Sequence, residues 1–381
     1  VANTITEVLP KILAQGLLAL RQNSVMTRLV NTSYSAEAAS KGNVINVPIP
    51  SAIAARAVTP SVTTPANVES APTSAQVTLD FWQEAPFYLT DSDVASVMVG
   101  TVPMQVSEAI KSLANAVDTY IMGKATGFYG AAGAAGTTPF QGSLTAAGDA
   151  RKLLNKQLAP LDNRRGVLDP DAESAFLLNA NILQSDQRGD QGGIVNGTIG
   201  TKLGLDWYMD QNITSYTPGT GWVTGFVAST VAGAVGDTTL NVINATASGT
   251  VKIGDIFSLG SGSSLQQYVI TAAVTVSATV QKAISFYPPL KATAATGATL
   301  AVIGTAYVAN LAFHRDAFAW ASRPLADVNG VGNTFQTVTD PVSGIALRLE
   351  MSRQYKQTTF SFDILGGANV IRREFGAKIL G

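Results

Sequence analysis

A chain of 381 residues is long enough for two or three domains with a sizeable core, and a formal charge of −1 removes any global electrostatic case for nucleic-acid binding. Charged residues make up 13% of it, against about 25% in an ordinary soluble domain, so much of the surface is neutral and suits protein partners. The absence of cysteine excludes a disulfide framework, thiol catalysis and cysteine-based zinc sites, and a single histidine, His314, argues against histidine-rich metal sites and paired-histidine catalysis.

No apolar run reaches about 18 residues, and no basic stretch precedes an apolar core at the start, so neither a membrane span nor a secretion signal is expected. Residues 5–22 carry Ile5, Val8, Leu9, Ile12, Leu13, Leu17 and Leu20 at helical spacing. Such an apolar helix near a terminus needs a surface to lie on, either its own domain or a neighbour's. At 43–50 the period switches to two, and a strand with Val44 or Ile45, Val47 and Ile49 ends at Pro48 and Pro50. A second alternating run, 75–82, places Val77, Leu79 and Phe81 on one face.

Between these runs lie Pro60, Pro65 and Pro72, and from 42 to 79 only Arg56 and Glu69 are charged. Loops beyond about 12 to 15 residues are usually functional or disordered, and disorder normally carries more charge than this. The stretch therefore reads as an extended β-arm that orders on another subunit, with Arg56, Pro60, Pro65, Glu69 and Pro72 as its intersubunit residues. Next, PFYLTDSD at 86–93 offers Thr90 or Asp91 as cap of a short helix to Val97, broken at Gly100.

Residues 102–120 hold the element around which the chain is organised. Val106, Ile110, Leu113, Val117 and Ile121 recur at spacings of three and four, with Glu108, Lys111, Asn115 and Asp118 between them. Pro103 fits a first turn, and a helix running to about Lys124 is on the order of 33 Å long. The Gly- and Ala-rich stretch 129–142 reads as a loop. A second helix over 143–158 is marked by Leu144, Ala147, Ala150, Leu153 and Leu154. Arg151, Lys152, Lys156, Arg164 and Arg165 form a basic cluster, either a solvated helix face or a phosphate-facing patch, without the aromatics of a single-strand stacking surface. A strand at 166–170 leads into a helix with Ala172, Phe176, Leu177 and Ile182 inward. The glycines of 197–213 match neither a dinucleotide fingerprint nor a P-loop and serve turns.

From 218 to 305 only Asp237, Lys252, Asp255, Lys282 and Lys291 are charged, and short alternating runs recur at 240–243, 251–253, 256–259, 268–270, 274–276, 284–286 and 300–303. That spacing indicates a small antiparallel β-domain set into the chain. In the closing stretch, Ile345, Leu347 and Leu349 alternate with polar residues, as do Phe360, Phe362 and Ile364; Gly366-Gly367 reads as the turn before paired elements at 370–375 and 377–380, with the long helix as partner for their apolar face.

This order of parts resembles the major capsid proteins of tailed bacteriophages, whose fold is named after the Hong Kong 97 phage. The segment 197–213, Ala-Phe-His-Arg-Asp-Ala-Phe at 312–318 and the ending 360–380 look like recurring segments of that family. With Lys-Ile-Gly-Asp-Ile-Phe at 252–257 and Phe-Tyr-Pro-Pro-Leu at 286–290, the chain is most similar to the coat proteins of the Salmonella podophage type, which carry an inserted β-domain. The resemblance implies an α+β Hong Kong 97-like capsid fold with an all-β insertion domain. Its parts would be an N-terminal arm at 1–35, the extended β-loop at 36–85, the spine-helix region at 86–127, a capsomer-centre domain at 128–217 with 306–340, the insertion at 218–305 and closing strands at 341–381.

It further implies a non-enzymatic, self-assembling subunit of an icosahedral shell around a phage double-stranded DNA genome. Such a subunit forms pentamers and hexamers, works with a scaffolding protein and a portal, touches packaged DNA weakly and non-specifically, uses no cofactor, metal or membrane, and assembles in the host bacterial cytoplasm to become part of the virion. A precursor shell would expand as DNA is packaged. Some relatives crosslink a Lys to an Asn; Lys41 and Asn43 offer that chemistry without a motif, and none is expected here. Two other readings compete. A hydrolase would rest on His314, Asp316 and a serine, but no Gly-x-Ser-x-Gly is present, and His314 reads as a packed or capping residue. A secreted or tail-associated β-rich adhesin accounts for 218–305 but not for the long helix.

Overall fold

The stripe of Val106, Ile110, Leu113, Val117 and Ile121 lies on one α-helix, Thr101–Lys124, and all five side chains are buried. The opposite face carries the exposed Glu108–Lys111 pair at 2.6 Å, and Lys124 in the last turn complements the helix dipole. A 3-10 turn, Ala125–Gly127, ends the helix. In the computed structural model the chain divides into two units: 1–19, 32–113 and 318–371 form the first, and 20–31, 114–317 and 372–381 the second. The structure describes residues 12–14, 16, 18, 20, 24–34, 42–50, 53, 55, 57–58, 60, 72–92, 101–183, 197, 199–229, 233–246, 248–260, 265–325, 333–341 and 343–381. Of the N-terminal helix expected at 5–22, the described residues 12–14, 16, 18 and 20 are helical.

The first unit is built on the 14-residue strand Gln357–Val370. On one edge it pairs with Ala346–Gln354, which pairs in turn with Asn333–Thr339; on the other it takes Phe81–Thr90 and then Phe318–Ser322, all antiparallel. Its inward residues Phe362 and Ile364 are fully buried, and Phe360 stacks on its register partner Phe87 at 5.3 Å. Two expectations are corrected here. Gly366 and Gly367 make no turn but lie inside the strand: a Cβ at Gly366 would meet the Trp320 ring at 2.4 Å, and one at Gly367 the Thr78 carbonyl oxygen at 2.0 Å. The run 75–82 is two strands, Thr73–Thr78 and Phe81–Thr90, because residues 79–80 carry the chain from a two-stranded ribbon into the sheet. Pro86 sits within a strand opposite Ser361; the helix expected to Val97 starts at Asp91 and Ser92, its remainder lying outside the described residues, and Asp91 also holds the Arg353 guanidinium at 2.6 and 2.7 Å.

The second unit contains a seven-stranded mixed sheet in the order Gly130–Gly133, Gly376–Leu380, Tyr307–His314, Arg164–Leu168, Leu205–Met209 and Thr201–Lys202, with Ser215–Tyr216 also on Tyr307–His314. The loop expected over 129–142 thus contains an edge strand, whose small residues admit close approach: a Cβ on Gly130 would stand 3.3 Å from that of Ala377. Helix Thr145–Lys156 buries Ala147, Ala150 and Leu154 in the same core as Phe140, Phe176 and Trp207. Asp169 caps helix Pro170–Leu177 through its carboxylate to the Asp171 N–H, with Pro170 at the first helical position. Residues 226–302 form a six-stranded antiparallel sheet and a separate two-stranded pair, Gly249–Val251 with Val274–Val276, around a core of Trp222, Phe226, Phe257, Tyr268 and Phe286. One strand here, Phe226–Ala228, has no counterpart among the expected runs.

Gly367→Ala is expected to lower unfolding stability by about 3 kcal/mol, because the atom met is backbone and has no rotamer to retreat to. Gly148→Ala, in a helix where nothing lies within 4 Å of the new methyl, is expected to be neutral or to stabilise by up to about 1 kcal/mol. Urea unfolding midpoints of the two variants test the contrast.

Candidate functional site

The ribbon formed by Val44–Ile49 and Thr73–Thr78 is the described part of the expected β-arm. Alternation sends Ile45, Val47 and Val77 to one face, where with Leu79 they pack on Ala319 and Ala321. Pro48, expected to close its strand, lies inside it opposite Ser74, on a ribbon that pairs with no further strand among the described residues. Side chains from the neighbouring strands tie the ribbon down: Arg323 donates to the Gly42 carbonyl and to Asn43 Oδ1 at 3.2 Å each, and Asn369 donates to the Gln76 carbonyl at 2.7 Å. The other face, Val44, Asn46, Ser74, Gln76 and Thr78, is exposed. Beyond the paired end, Ile53 is 71% and Val58 90% exposed, and Pro60 and Pro72 are exposed. Arg56, Pro65 and Glu69 lie outside the described residues.

In the first unit the sheet carries one buried ion pair. Arg348 and Asp363 are cross-strand neighbours, with Nε to Oδ1 at 3.0 Å and Nη2 to Oδ2 at 2.6 Å; Trp82 Nε1 also donates to Asp363 Oδ2 at 3.4 Å, and the Phe335 ring lies 5.4 Å from the guanidinium carbon. Bidentate geometry is what allows both charges to be buried.

In the second unit, charges serve as anchors. Asp118, grouped by sequence with the polar side of the long helix, is fully buried and accepts from the Val25 and Met26 N–H groups at 2.8 and 3.1 Å and from Ser24 Oγ at 3.4 Å, fixing the segment that enters helix Met26–Leu29. Burial pushes its carboxyl up to about 7, with the Asp210 charge adding to the rise and the donors opposing it. Lys378, 1% exposed in the last strand, donates to the carbonyls of Thr126 and Gly254 at 3.4 Å each, with the Tyr216 ring centre 5.6 Å away. Burial pushes its amine down to about 7, opposed by the charge of Asp255. Asp255 is itself held by the Lys252 N–H at 2.7 Å, the Tyr216 hydroxyl at 2.9 Å and the Gly219 N–H. The glycine at 254 adopts φ +96° and brings its backbone within reach of Thr126.

His314 is buried, its Nδ1 accepting from the Asp316 N–H at 3.2 Å and its ring meeting Phe375 edge-on. Burial lowers its pKa, and a nitrogen occupied by a backbone cap is no free base. Among the described residues no group of three or more His, Asp or Glu is placed to hold a metal, and no helix is long and apolar enough to cross a membrane. The basic cluster of the sequence is dispersed. Arg164 is buried and donates to the Pro160 and Ala159 carbonyls and to Asn155 Oδ1, while Arg165 reaches the Arg28 carbonyl at 3.0 Å. Sequence reasoning missed the anchoring roles of Arg323, Asn369, Asp118 and Lys378; a lone lysine in the run Gly-Ala-Lys-Ile-Leu was the one available signal.

Unfolding stability measured across pH tests the two anchors. Asp118 holds its proton in the folded chain between about 4 and 7 while the unfolded chain releases it, so its contribution is complete below about 4 and declines as pH rises through 7. Lys378 is neutral in the folded chain from about 7 to 10.5, where the unfolded chain is charged, so its contribution grows with pH over that window and is lost on falling through it. Each slope approaches about 1.4 kcal/mol per pH unit. Asp118→Asn should remove the acid-side decline and Lys378→Met the alkaline-side rise; a pH profile that neither variant alters would refute the assignments.

No protein-family model matches the sequence, and no curated protein matches it. Among solved structures, the chain is similar to one from Mycobacterium phage Che8, at 15% identity over 93% of this chain and 90% of that one, with a TM-score of 0.53. It is similar to a chain of the capsid of the cyanophage P-SCSP1u, at 11% identity over 94% and 88% with a TM-score of 0.50, and to one of the capsid of a native GTA particle, at 9% identity over 96% and 90% with a TM-score of 0.50. At such identities the likeness is one of fold: this chain has the fold of solved capsid chains, along nearly its whole length.

Proposed function

We propose that this chain, which has a capsid fold, is the major coat subunit of a tailed-phage shell of the Hong Kong 97 type that encloses a double-stranded DNA genome. The observation that carries the reading is the likeness to capsid chains over more than nine-tenths of the sequence. Two features support it independently: a surface with few charges, and a tethered ribbon that ends in exposed aliphatic residues. Copies assemble as pentamers and hexamers, with a scaffolding protein guiding a precursor shell and a portal at one vertex. Weak contacts repeated around closed symmetry add up to a stable particle, and an arm reaching from a rigid ribbon can adjust its angle between five-fold and six-fold positions with little repacking.

Within this reading 36–85 is the intersubunit loop, 101–124 the spine, 128–217 with 306–317 the capsomer-centre domain and 341–381 the closing strands, while Phe318–Ser322 and Asn333–Thr339, expected with the capsomer centre, pair with those closing strands. Residues 218–305 are an insertion of the Salmonella podophage type. The role is structural and not catalytic, without cofactor, and contact with packaged DNA is weak and non-specific. Assembly occurs in the host bacterial cytoplasm, and the final location is the virion. A β-rich adhesin would leave the long helix and its buried stripe without a purpose.

Expression of the full chain with its scaffolding partner is expected to yield closed shells in negative-stain electron microscopy. Deleting residues 60–72 is expected to leave a folded subunit, with unchanged circular dichroism, that forms no shells; intact particles from that deletion would remove the loop from the assembly contact.

A further inference from the structure

One concave site in the second unit is used by none of the interactions above. A cavity of about 260 Å³ opens between helix Thr145–Lys156, the edge strand Gly130–Gly133 and residues 265–267 and 291 of the β-rich region. Lys152, Lys156 and Lys291 line it, and the one carboxylate in its wall, Asp149, is taken by Lys152 at 2.7 Å. Lys156 and Lys291 have no ionic partner among the described residues. Lys152 and Lys156 stand one helical turn apart and so share a face, while Lys291 arrives from more than a hundred residues along the chain, which makes the convergence tertiary.

Uncharged polar groups complete the wall. Ala131 turns both its N–H and its carbonyl to the free edge of the sheet, where Gln267 binds them at 2.9 and 2.8 Å. Gly133, two residues on in that strand, also lines the cavity. Half-buried Gln157 adds a buried Oε1 that has no partner, and a side-chain amide turned over presents N–H instead.

We propose that this cleft is an oxyanion site that takes a phosphate group, held by Lys156 and Lys291 with Lys152 at its rim. A cleft walled by ammonium groups concentrates anions, and each charge-assisted hydrogen bond is about twice as strong as a neutral one. The cavity, at about 260 Å³, lies just below the roughly 300–1,000 Å³ of pockets for larger organic ligands, and its lining mixes the polar groups above with Tyr129, Leu153 and Leu265. The phosphate has two possible sources, free inorganic phosphate and the backbone of a nucleic acid, which present the same tetrahedral oxygens.

Calorimetric titration of the full chain with inorganic phosphate at constant ionic strength is expected to give saturable one-site binding. Lys156→Gln and Lys291→Gln should each weaken it about tenfold, whereas Lys111→Gln, on the exposed face of the long helix, should leave it unchanged. A duplex of about 20 base pairs, followed by fluorescence anisotropy, separates the sources. Duplex binding that falls in the same two variants and is displaced by phosphate identifies nucleic acid as the source, and phosphate binding without it identifies the free ion. Absence of saturable phosphate binding, or binding untouched by both substitutions in variants with wild-type melting curves, overturns the site.

Discussion

Burial of one continuous apolar stripe on the helix Thr101–Lys124 is the constraint on which the architecture depends. Val106, Ile110 and Leu113 belong to the first unit and Val117 and Ile121 to the second, so a single helix supplies core to both. Fully burying a side chain of this size is worth about 1.5 to 3 kcal/mol, and a stripe of five exceeds what any surface pair in the molecule can contribute. The strands that complete each core need only present apolar faces of matching period, as Phe362 and Ile364 do in one unit and Leu168 and Ile379 in the other.

Against this background the few charges have positional meaning. Asp118 is surrounded by backbone donors of residues 25 and 26, Lys378 by the carbonyls of Thr126 and Gly254, Arg164 by those of Ala159 and Pro160, and Arg348 by a carboxylate. An ion taken from water without partners costs several kcal/mol, so each position is tolerated only where a specific piece of chain arrives to meet it. Buried charges thereby act as registration marks: the segment before Met26 has one place to dock, and the last strand has one register in which its lysine is satisfied.

Exposed surface follows the opposite rule. Ile53 and Val58 stand open beyond a ribbon that is itself firmly seated through Arg323 and Asn369, an arrangement that offers apolar area to a partner from a rigid base. In the shell proposed above, the same small area is covered many times over. Modest affinity per contact is then an advantage, because it lets misplaced subunits leave before the particle closes.

Patterning alone determined a good deal. The helix at 101–124, its buried stripe, the β-rich nature of 226–302 and the helix Thr145–Lys156 all follow from periodicities that one face of an element must satisfy wherever it packs. Tertiary structure decided the rest, because the deciding neighbour lay far along the chain. Gly366 and Gly367 carry the local chemistry of a turn, yet they continue a strand since the Trp320 ring and the Thr78 carbonyl occupy the space where their side chains would be. Asp118 was polar by composition and buried by circumstance, and of the basic residues clustered in sequence Arg164 and Arg165 went to backbone carbonyls and Lys152 and Lys156 to a cleft completed by Lys291. Local sequence specifies which faces are apolar; which distant atom fills a given gap depends on how all of those faces are satisfied at once.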